Sequence, residues 1–73
     1  MTLLELLKRV SDRQKIDIFN ENCTIITLDA TRSETIELIQ LKHEKNFRDI
    51  INCEVQQIYV EENLVITLKG SFE

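Results

Sequence analysis

The sequence lacks several residue types on which particular folds and chemistries depend. It has no proline and no tryptophan, one glycine (Gly70), one histidine (His43) and two cysteines, Cys23 and Cys53. Two cysteines are too few for a disulfide framework, and too few for a zinc site without help from His43. One glycine excludes a glycine-rich phosphate-binding loop. We therefore predict free, buried thiols, no metal site and no cofactor.

Catalytic groups are equally scarce. A nucleophilic Cys, Ser or Thr needs a base within reach, and the single histidine, His43, lies among Lys42, Glu44 and Lys45. This charged setting is typical of a solvated helix end. Carboxylates are present, but a chain of 73 residues has little depth for a desolvated cleft that would separate their pKa values. We predict that the protein is not an enzyme.

Long apolar runs are also missing. No stretch approaches the roughly 18 apolar residues of a membrane span, and the opening Met1 to Val10 carries Glu5, Lys8 and Arg9, which argues against a signal peptide. Hydrophobic residues make up 42% and charged residues 30% of the chain, a globular composition. We predict one small, marginally stable domain over residues 1–73, located in the cytoplasm, with no membrane partner.

The C-terminal half contains the clearest structural pattern, a β-hairpin over Cys53 to Lys69. Two runs rich in β-branched and aromatic residues flank the polar turn Glu61-Glu62-Asn63. Alternation along a strand places side chains two residues apart on one face. The apolar face is predicted to contain Ile58, Val60, Leu64, Ile66 and Leu68. Tyr59 then projects from the opposite, more polar face.

The chain is predicted to open with a leucine-rich helix, because Thr2 and Glu5 have the spacing of a capping box. A second hairpin is predicted to follow this helix. Strands over Lys15 to Phe19 and Cys23 to Leu28 flank the turn Asn20-Glu21-Asn22. In the first of these strands Phe19 lies on the face opposite Ile16 and Ile18. Phe19, like Tyr59, is therefore either exposed to a partner or covered by another element of the fold.

Residues 29–52 connect the hairpins. Thr31 and Glu34 form a second capping-box pattern, which favours a middle helix. Residues 34–42 also fit a strand, because Thr35 to Leu38 alternate; we prefer the helix, followed by a further helical turn over Asn46 to Ile51. The predicted fold is α+β: a four-stranded antiparallel sheet of two β-hairpins, with the N-terminal helix and the middle helix on one face.

The net charge of −4 is concentrated towards the C-terminus. The acidic residues of that region are Asp49, Glu54, Glu61, Glu62 and Glu73. A negative surface is repelled by the phosphate backbone, so we predict no direct binding to nucleic acid. It favours a protein partner with a basic surface, or else it serves only to keep the protein soluble.

The stretch Asn46 to Leu68, with the opening Leu3 to Phe19, resembles small uncharacterised proteins encoded by phages, prophages and conjugative elements of Gram-positive bacteria. Such proteins open with a leucine-rich helix and end in a hairpin of the form Glu-Val-x-x-Ile-Tyr, an acidic turn and Leu-Val-Ile. The stretch Asp29 to Lys45 departs from this pattern. The resemblance implies a mobile-element origin and a bacterial host, and it supplies no catalytic residues.

Such an origin implies a function. Short acidic phage proteins often inhibit host defence complexes, including CRISPR effector nucleases, and a carboxylate surface can occupy a basic nucleic-acid channel. The predicted partner is a host protein with such a basic surface. The candidate partner-binding residues are Tyr59, Glu61, Glu62, Glu54, Asp49 and Phe19. The alternative interpretation makes Glu61 and Glu62 an ordinary solvated turn, with Tyr59 and Phe19 in the core.

Two further functional classes stay open. The first is a small homo-oligomeric structural or accessory subunit, in which a second copy pairs along a hairpin edge at Leu64 to Leu68. The second is a nucleic-acid-binding module that uses a basic edge of Lys8, Arg9, Arg13 and Lys15.

Overall fold

A computed structural model describes residues 1–72; Glu73, one of the acidic residues counted above, lies outside the described residues. The elements follow the chain in this order: α1 (Leu3–Leu7), β1 (Ile16–Phe19), β2 (Ile25–Ala30), α2 (Arg32–Lys42), a 3₁₀ turn (Glu44–Asn46), α3 (Phe47–Ile51), β3 (Val55–Val60) and β4 (Leu64–Leu68). The predicted α+β class is confirmed, and residues 34–42 are helical rather than extended.

The sheet is mixed rather than fully antiparallel. Its strand order is β2-β1-β4-β3, and both hairpins are antiparallel, but β1 and β4 run parallel at the centre. The prediction of a fully antiparallel sheet was therefore wrong. The helical connection 31–54 carries the chain across the sheet, so that β3 forms the far edge and β4 returns beside β1. Leu64–Leu68 is consequently an internal strand and not the exposed edge that the sequence analysis expected.

The strand register assigns side chains to two faces. Ile16 pairs with Leu64 and Ile18 with Ile66 across the parallel centre. Ile58 pairs with the same Ile66 across the second hairpin. Since directly paired residues point to the same side of a sheet, these apolar residues share one face, as the alternation predicted.

The core combines that face with residues from all three helices. Its buried members are Leu3 and Leu7 of α1, Ile39 of α2, Ile50 of α3, and Ile16, Ile18, Ile26, Ile66 and Leu68 of the sheet. Each such side chain contributes roughly 1.5–3 kcal/mol when it is fully buried. Because the core is this small, the loss of one member removes a large part of the net stability.

Both capping patterns mark real helix starts. At α1 the Glu5 N–H donates to Thr2 Oγ1 at 3.2 Å, and the Thr2 N–H donates to Glu5 Oε1 at 3.0 Å. At α2 the Thr31 N–H donates to Glu34 Oε1 at 3.1 Å. These bonds satisfy backbone groups that the first helical turn leaves without intrahelical partners.

The first hairpin differs from its prediction at the turn. Asn20 is buried, and its Oδ1 accepts hydrogen bonds from the N–H groups of Asn22 and Thr24, both at 2.9 Å. Cys23 has a φ of 63° and therefore occupies the left-handed position of the turn instead of starting the strand. Its thiol is exposed, while that of Cys53 is partly buried. The prediction of two buried thiols was wrong for Cys23.

Candidate functional site

The side of the sheet opposite the core, which we call the outer face, carries both candidate aromatic residues. One row across the strands consists of Asp17, Val65 and Tyr59, and the next consists of Ile25, Phe19, Thr67 and Gln57. Phe19 and Tyr59 lie two strands and two residues apart. Strand geometry therefore separates their Cα atoms by about 12 Å.

Tyr59 keeps 42% of its surface exposed, and Phe19 is half-buried. Val65 lies between Asp17 and Tyr59 on the outer face and is only 3% exposed. Tyr59 thus has a buried apolar neighbour and still keeps part of its own surface exposed. An aromatic side chain in this environment can contact a partner without changing its position in the sheet.

Two carboxylates meet at one end of the outer face, next to a turn that carries two more. The side-chain amide of Asn63 donates to Asp17 Oδ1 at 3.2 Å and to Asp29 Oδ1 at 3.1 Å. Glu61 and Glu62 are exposed in the same turn as Asn63, and the Glu61 N–H closes that turn on the Asn63 carbonyl at 3.0 Å. We call Asp17, Asp29, Glu61 and Glu62 the acidic corner.

An irregularity in β2 brings Asp29 to this place. The β1–β2 register shifts between the pairs Ile16–Ala30 and Ile18–Thr27, and Asp29 has a φ of 51°. Aspartate tolerates this left-handed conformation better than most residues. The result is an Asp29 N–H that donates to Asp17 Oδ1 at 2.8 Å. Asp17 therefore accepts two hydrogen bonds, which offset part of the repulsion between neighbouring carboxylates.

The acidic corner is not neutralised by ion pairs. Within residues 1–72 the ion pairs join the Met1 ammonium to Glu54, Lys15 to Glu34, and Arg32 to Asp12. None of them includes a carboxylate of the acidic corner, so its charge is available to a partner.

The structure separates the remaining predicted residues from the corner. Glu54 precedes β3 at its opposite end, roughly 23 Å along the strand from Glu61, and its Oε2 accepts a hydrogen bond from the Met1 ammonium at 2.8 Å. Asp49 is exposed on α3. The candidates Tyr59, Glu61 and Glu62 are thus close together, whereas Glu54 and Asp49 are elsewhere on the surface.

Sequence reasoning missed Asp17 and Asp29. Asp17 alternates with the buried residues Ile16 and Ile18, so its outward direction was available from the pattern. Asp29 carried no comparable signal, because its position depends on a strand irregularity and on a left-handed residue that is not glycine.

The expected basic edge is only partly free. Lys8, Arg9 and Arg13 are exposed, but the Lys15 ammonium lies 3.7 Å from Glu34 Oε1. His43 also differs from its prediction as a solvated residue. Its ring is half-buried, and Nε2 lies 3.3 Å from the Ile26 carbonyl oxygen, which ties the end of α2 to β2.

Residues 1–72 offer no other kind of ligand site. These residues contain no group of three or more His, Cys, Asp or Glu side chains that could hold a metal ion, and no ligand-sized pocket. None of their helices has the length and apolar character needed to cross a membrane. Burial raises the pKa of the Cys53 thiol, and the neighbouring carboxylates Glu21 and Glu54 act in the same direction.

No protein-family model matches the chain, and no curated protein or solved structure shows significant similarity to it. The resemblance to proteins of phages and mobile elements therefore stays a prediction.

Proposed function

We propose that the protein is a non-enzymatic protein-binding module that places its acidic corner on a basic, nucleic-acid-binding surface of a host protein. The observation that carries this proposal is the pair Asp17 and Asp29, bridged by Asn63, in the same corner as the exposed turn residues Glu61 and Glu62 and the exposed Tyr59. A defence complex such as a CRISPR effector nuclease is the class of partner that the sequence resemblance favours.

The spacing of the carboxylates supports mimicry of a phosphate backbone. Asp17 Oδ1 and Asp29 Oδ1 both lie about 3 Å from the Asn63 amide nitrogen, so they are at most about 6 Å apart. Successive phosphates of a nucleic-acid strand are spaced on a similar scale, at about one charge per 3.4 Å of helix axis. A basic groove that accommodates those phosphates attracts the acidic corner by the same electrostatics.

Tyr59 supplies the apolar part of the contact. It stands two residues before Glu61 on the strand that leads into the acidic corner, and 42% of its surface is exposed. Aromatic residues next to charges are frequent anchors of protein interfaces, because a ring buries a large area with few rotatable bonds. Tyr59 therefore adds affinity where the carboxylates supply attraction and orientation.

Access to the outer face is part of the same proposal. Leu3 and Leu7 of α1 and Ile39 of α2 join the core cluster with the inward side chains of the sheet. This supports an arrangement in which both helices lie on one face and leave the outer face open to a partner in the host cytoplasm.

Affinity capture with charge-reversed variants tests this function. Glu61→Lys/Glu62→Lys alters the acidic corner. The matched control Glu37→Lys/Glu44→Lys changes two exposed glutamates on the α2 side and gives the same formal net charge of zero, starting from −4. Tagged proteins are incubated with a Gram-positive host lysate, and retained proteins are identified by mass spectrometry.

We expect the wild type and the control to retain the same nucleic-acid-handling protein and the corner variant to lose most of it, with unchanged thermal unfolding. Equal retention by all three proteins would exclude the acidic corner as the binding surface. Equal loss in both variants would mean that only the overall charge matters.

A further inference from the structure

Strand β3 forms an edge of the sheet, and its second half is exposed. It pairs with β4 on one side only. Ile58, Tyr59 and Val60 are exposed by 45%, 42% and 72% of their surface. An exposed edge of this kind offers backbone hydrogen-bonding groups to another strand.

The direction of those backbone groups follows from the neighbouring strands. The Leu64 N–H donates to the Lys15 carbonyl at 3.0 Å, so the backbone of Leu64 faces the β1 side. The backbone of Val65 then faces β3, where it pairs with Tyr59. Ile58 and Val60 alternate with Tyr59, so their backbone N–H and C=O groups point away from β4. Within residues 1–72 no strand pairs with these groups.

The first half of the same edge is already occupied. The Val55 N–H donates to the Met1 carbonyl and the Leu3 N–H donates to the Cys53 carbonyl, both at 2.9 Å. The N-terminal segment therefore covers the start of β3. The open part is the segment Ile58 to Val60, which contains no charged residue and no proline.

The opposite edge, β2, is protected in the ways that natural sheets use. Its register with β1 shifts twice, Asp29 takes a left-handed conformation, and His43 lies against the Ile26 carbonyl. From Gln57 to Val60, by contrast, β3 pairs with β4 without a shift. Only β3 combines a regular open edge with exposed apolar side chains.

We propose that a second copy of this chain pairs with the open edge of β3 in antiparallel orientation, which joins two sheets into one of eight strands. The two-fold axis passes through Tyr59. Ile58 of one copy then lies opposite Val60 of the other, and the outward N–H and C=O groups of these two residues form hydrogen-bonded pairs on both sides of the axis. This goes beyond the proposed function and does not depend on it.

Charge and space select this register. With the axis at Tyr59, Glu61 lies opposite Gln57 of the second copy, so a carboxylate meets an amide donor. An axis at Ile58 would move the second copy's Glu61 and Glu62 onto the segment Glu54–Val55. That segment already holds a carboxylate and is covered by Met1, so both like-charge repulsion and steric overlap oppose the alternative.

Sedimentation equilibrium at micromolar to millimolar concentrations tests the pairing. Val60→Pro removes an outward N–H, which edge strands tolerate when that group faces solvent. Val60→Lys places a charge on the edge, and Leu41→Lys is its matched control, because Val60 and Leu41 are 72% and 73% exposed. We expect the mass of the wild type and of Leu41→Lys to rise from 8.6 kDa towards twice that value, and both Val60 variants to stay monomeric. A wild type that stays monomeric throughout would overturn the proposal.

Cysteine cross-linking tests the register. In a Cys23→Ser/Cys53→Ala background, Tyr59→Cys places two thiols at a non-hydrogen-bonded pair, where Cα atoms about 4.5 Å apart allow a disulfide. We expect Tyr59→Cys to cross-link with itself and Ile58→Cys to do so much less. Preferential cross-linking of Ile58→Cys would overturn the proposed axis. Both measurements use the purified protein without any host protein, which separates this proposal from the binding function.

Discussion

At the scale of single residues, Thr27 is the clearest imperfection of the core. Its side chain is 4% exposed, and its Oγ1 has no hydrogen-bond partner within residues 1–72. Burying a hydroxyl without a partner is unfavourable, whereas an apolar group of the same shape avoids that loss. Thr35 offers the opposite case, because its buried Oγ1 donates to the Ala30 carbonyl at 3.4 Å.

We therefore predict that Thr27→Val raises the free energy of unfolding by about 1 kcal/mol, and that Thr35→Val lowers it by about 0.5–1.5 kcal/mol. Urea denaturation of both variants and the wild type measures the two changes. Destabilisation by Thr27→Val would show that its hydroxyl contributes a favourable interaction in solution.

Residue conformation also limited what the sequence could predict. Cys23 and Asp29 both have positive φ, and neither is a glycine. Sequence patterns place left-handed positions at glycine or asparagine. Within residues 1–72, however, neither Gly70 nor any asparagine has a positive φ. The exposure of Cys23 and the position of Asp29 in the acidic corner therefore followed from tertiary structure and not from local preference.

At the scale of elements, the two capping boxes connect helix formation to pH. Hydrogen bonds from the backbone N–H and the side-chain hydroxyl of Thr2 lower the pKa of Glu5, with smaller contributions from nearby positive charges. The corresponding groups of Thr31 lower the pKa of Glu34, and Lys15 adds to that effect. The folded state thus favours the ionised form of both carboxyl groups.

Because the folded pKa of each carboxyl is below its usual value near 4.5, ionisation stabilises the fold above that value, and the stabilisation is lost as the pH falls through the lowered pKa. We predict that Glu5→Gln/Glu34→Gln narrows the difference in melting temperature between pH 7 and pH 3, since an amide does not titrate. An unchanged difference would show that other carboxylates dominate the acid sensitivity.

Elements were more predictable than their arrangement. Both hairpins, the capped helices and the apolar face of β4 follow from local periodicity and capping chemistry. The parallel pairing of β1 with β4 does not, because a hairpin pattern defines a strand's partner within the hairpin but not its neighbour on the other side. The interior position of Leu64–Leu68 is a property of the sheet as a whole.

At the scale of the whole molecule, the β3–β4 hairpin supplies two distinct surfaces. Its turn contributes Glu61 and Glu62 to the acidic corner, and its outer edge exposes Ile58 and Val60. The proposed pairing places Glu61 beside Gln57 of the second copy, whereas Asp17 and Asp29 lie at least two strands away from the paired edge.

If the acidic corner binds its partner in place of nucleic acid, this protein should displace an oligonucleotide from that partner. The host protein retained by affinity capture is first bound to a fluorescent oligonucleotide. The fluorescence anisotropy of the oligonucleotide is then followed as the 73-residue protein or one of its variants is added. We predict displacement by the wild type and by Glu37→Lys/Glu44→Lys, and little displacement by Glu61→Lys/Glu62→Lys. Binding of the wild type while the oligonucleotide stays in place would show that the acidic corner does not occupy the nucleic-acid site.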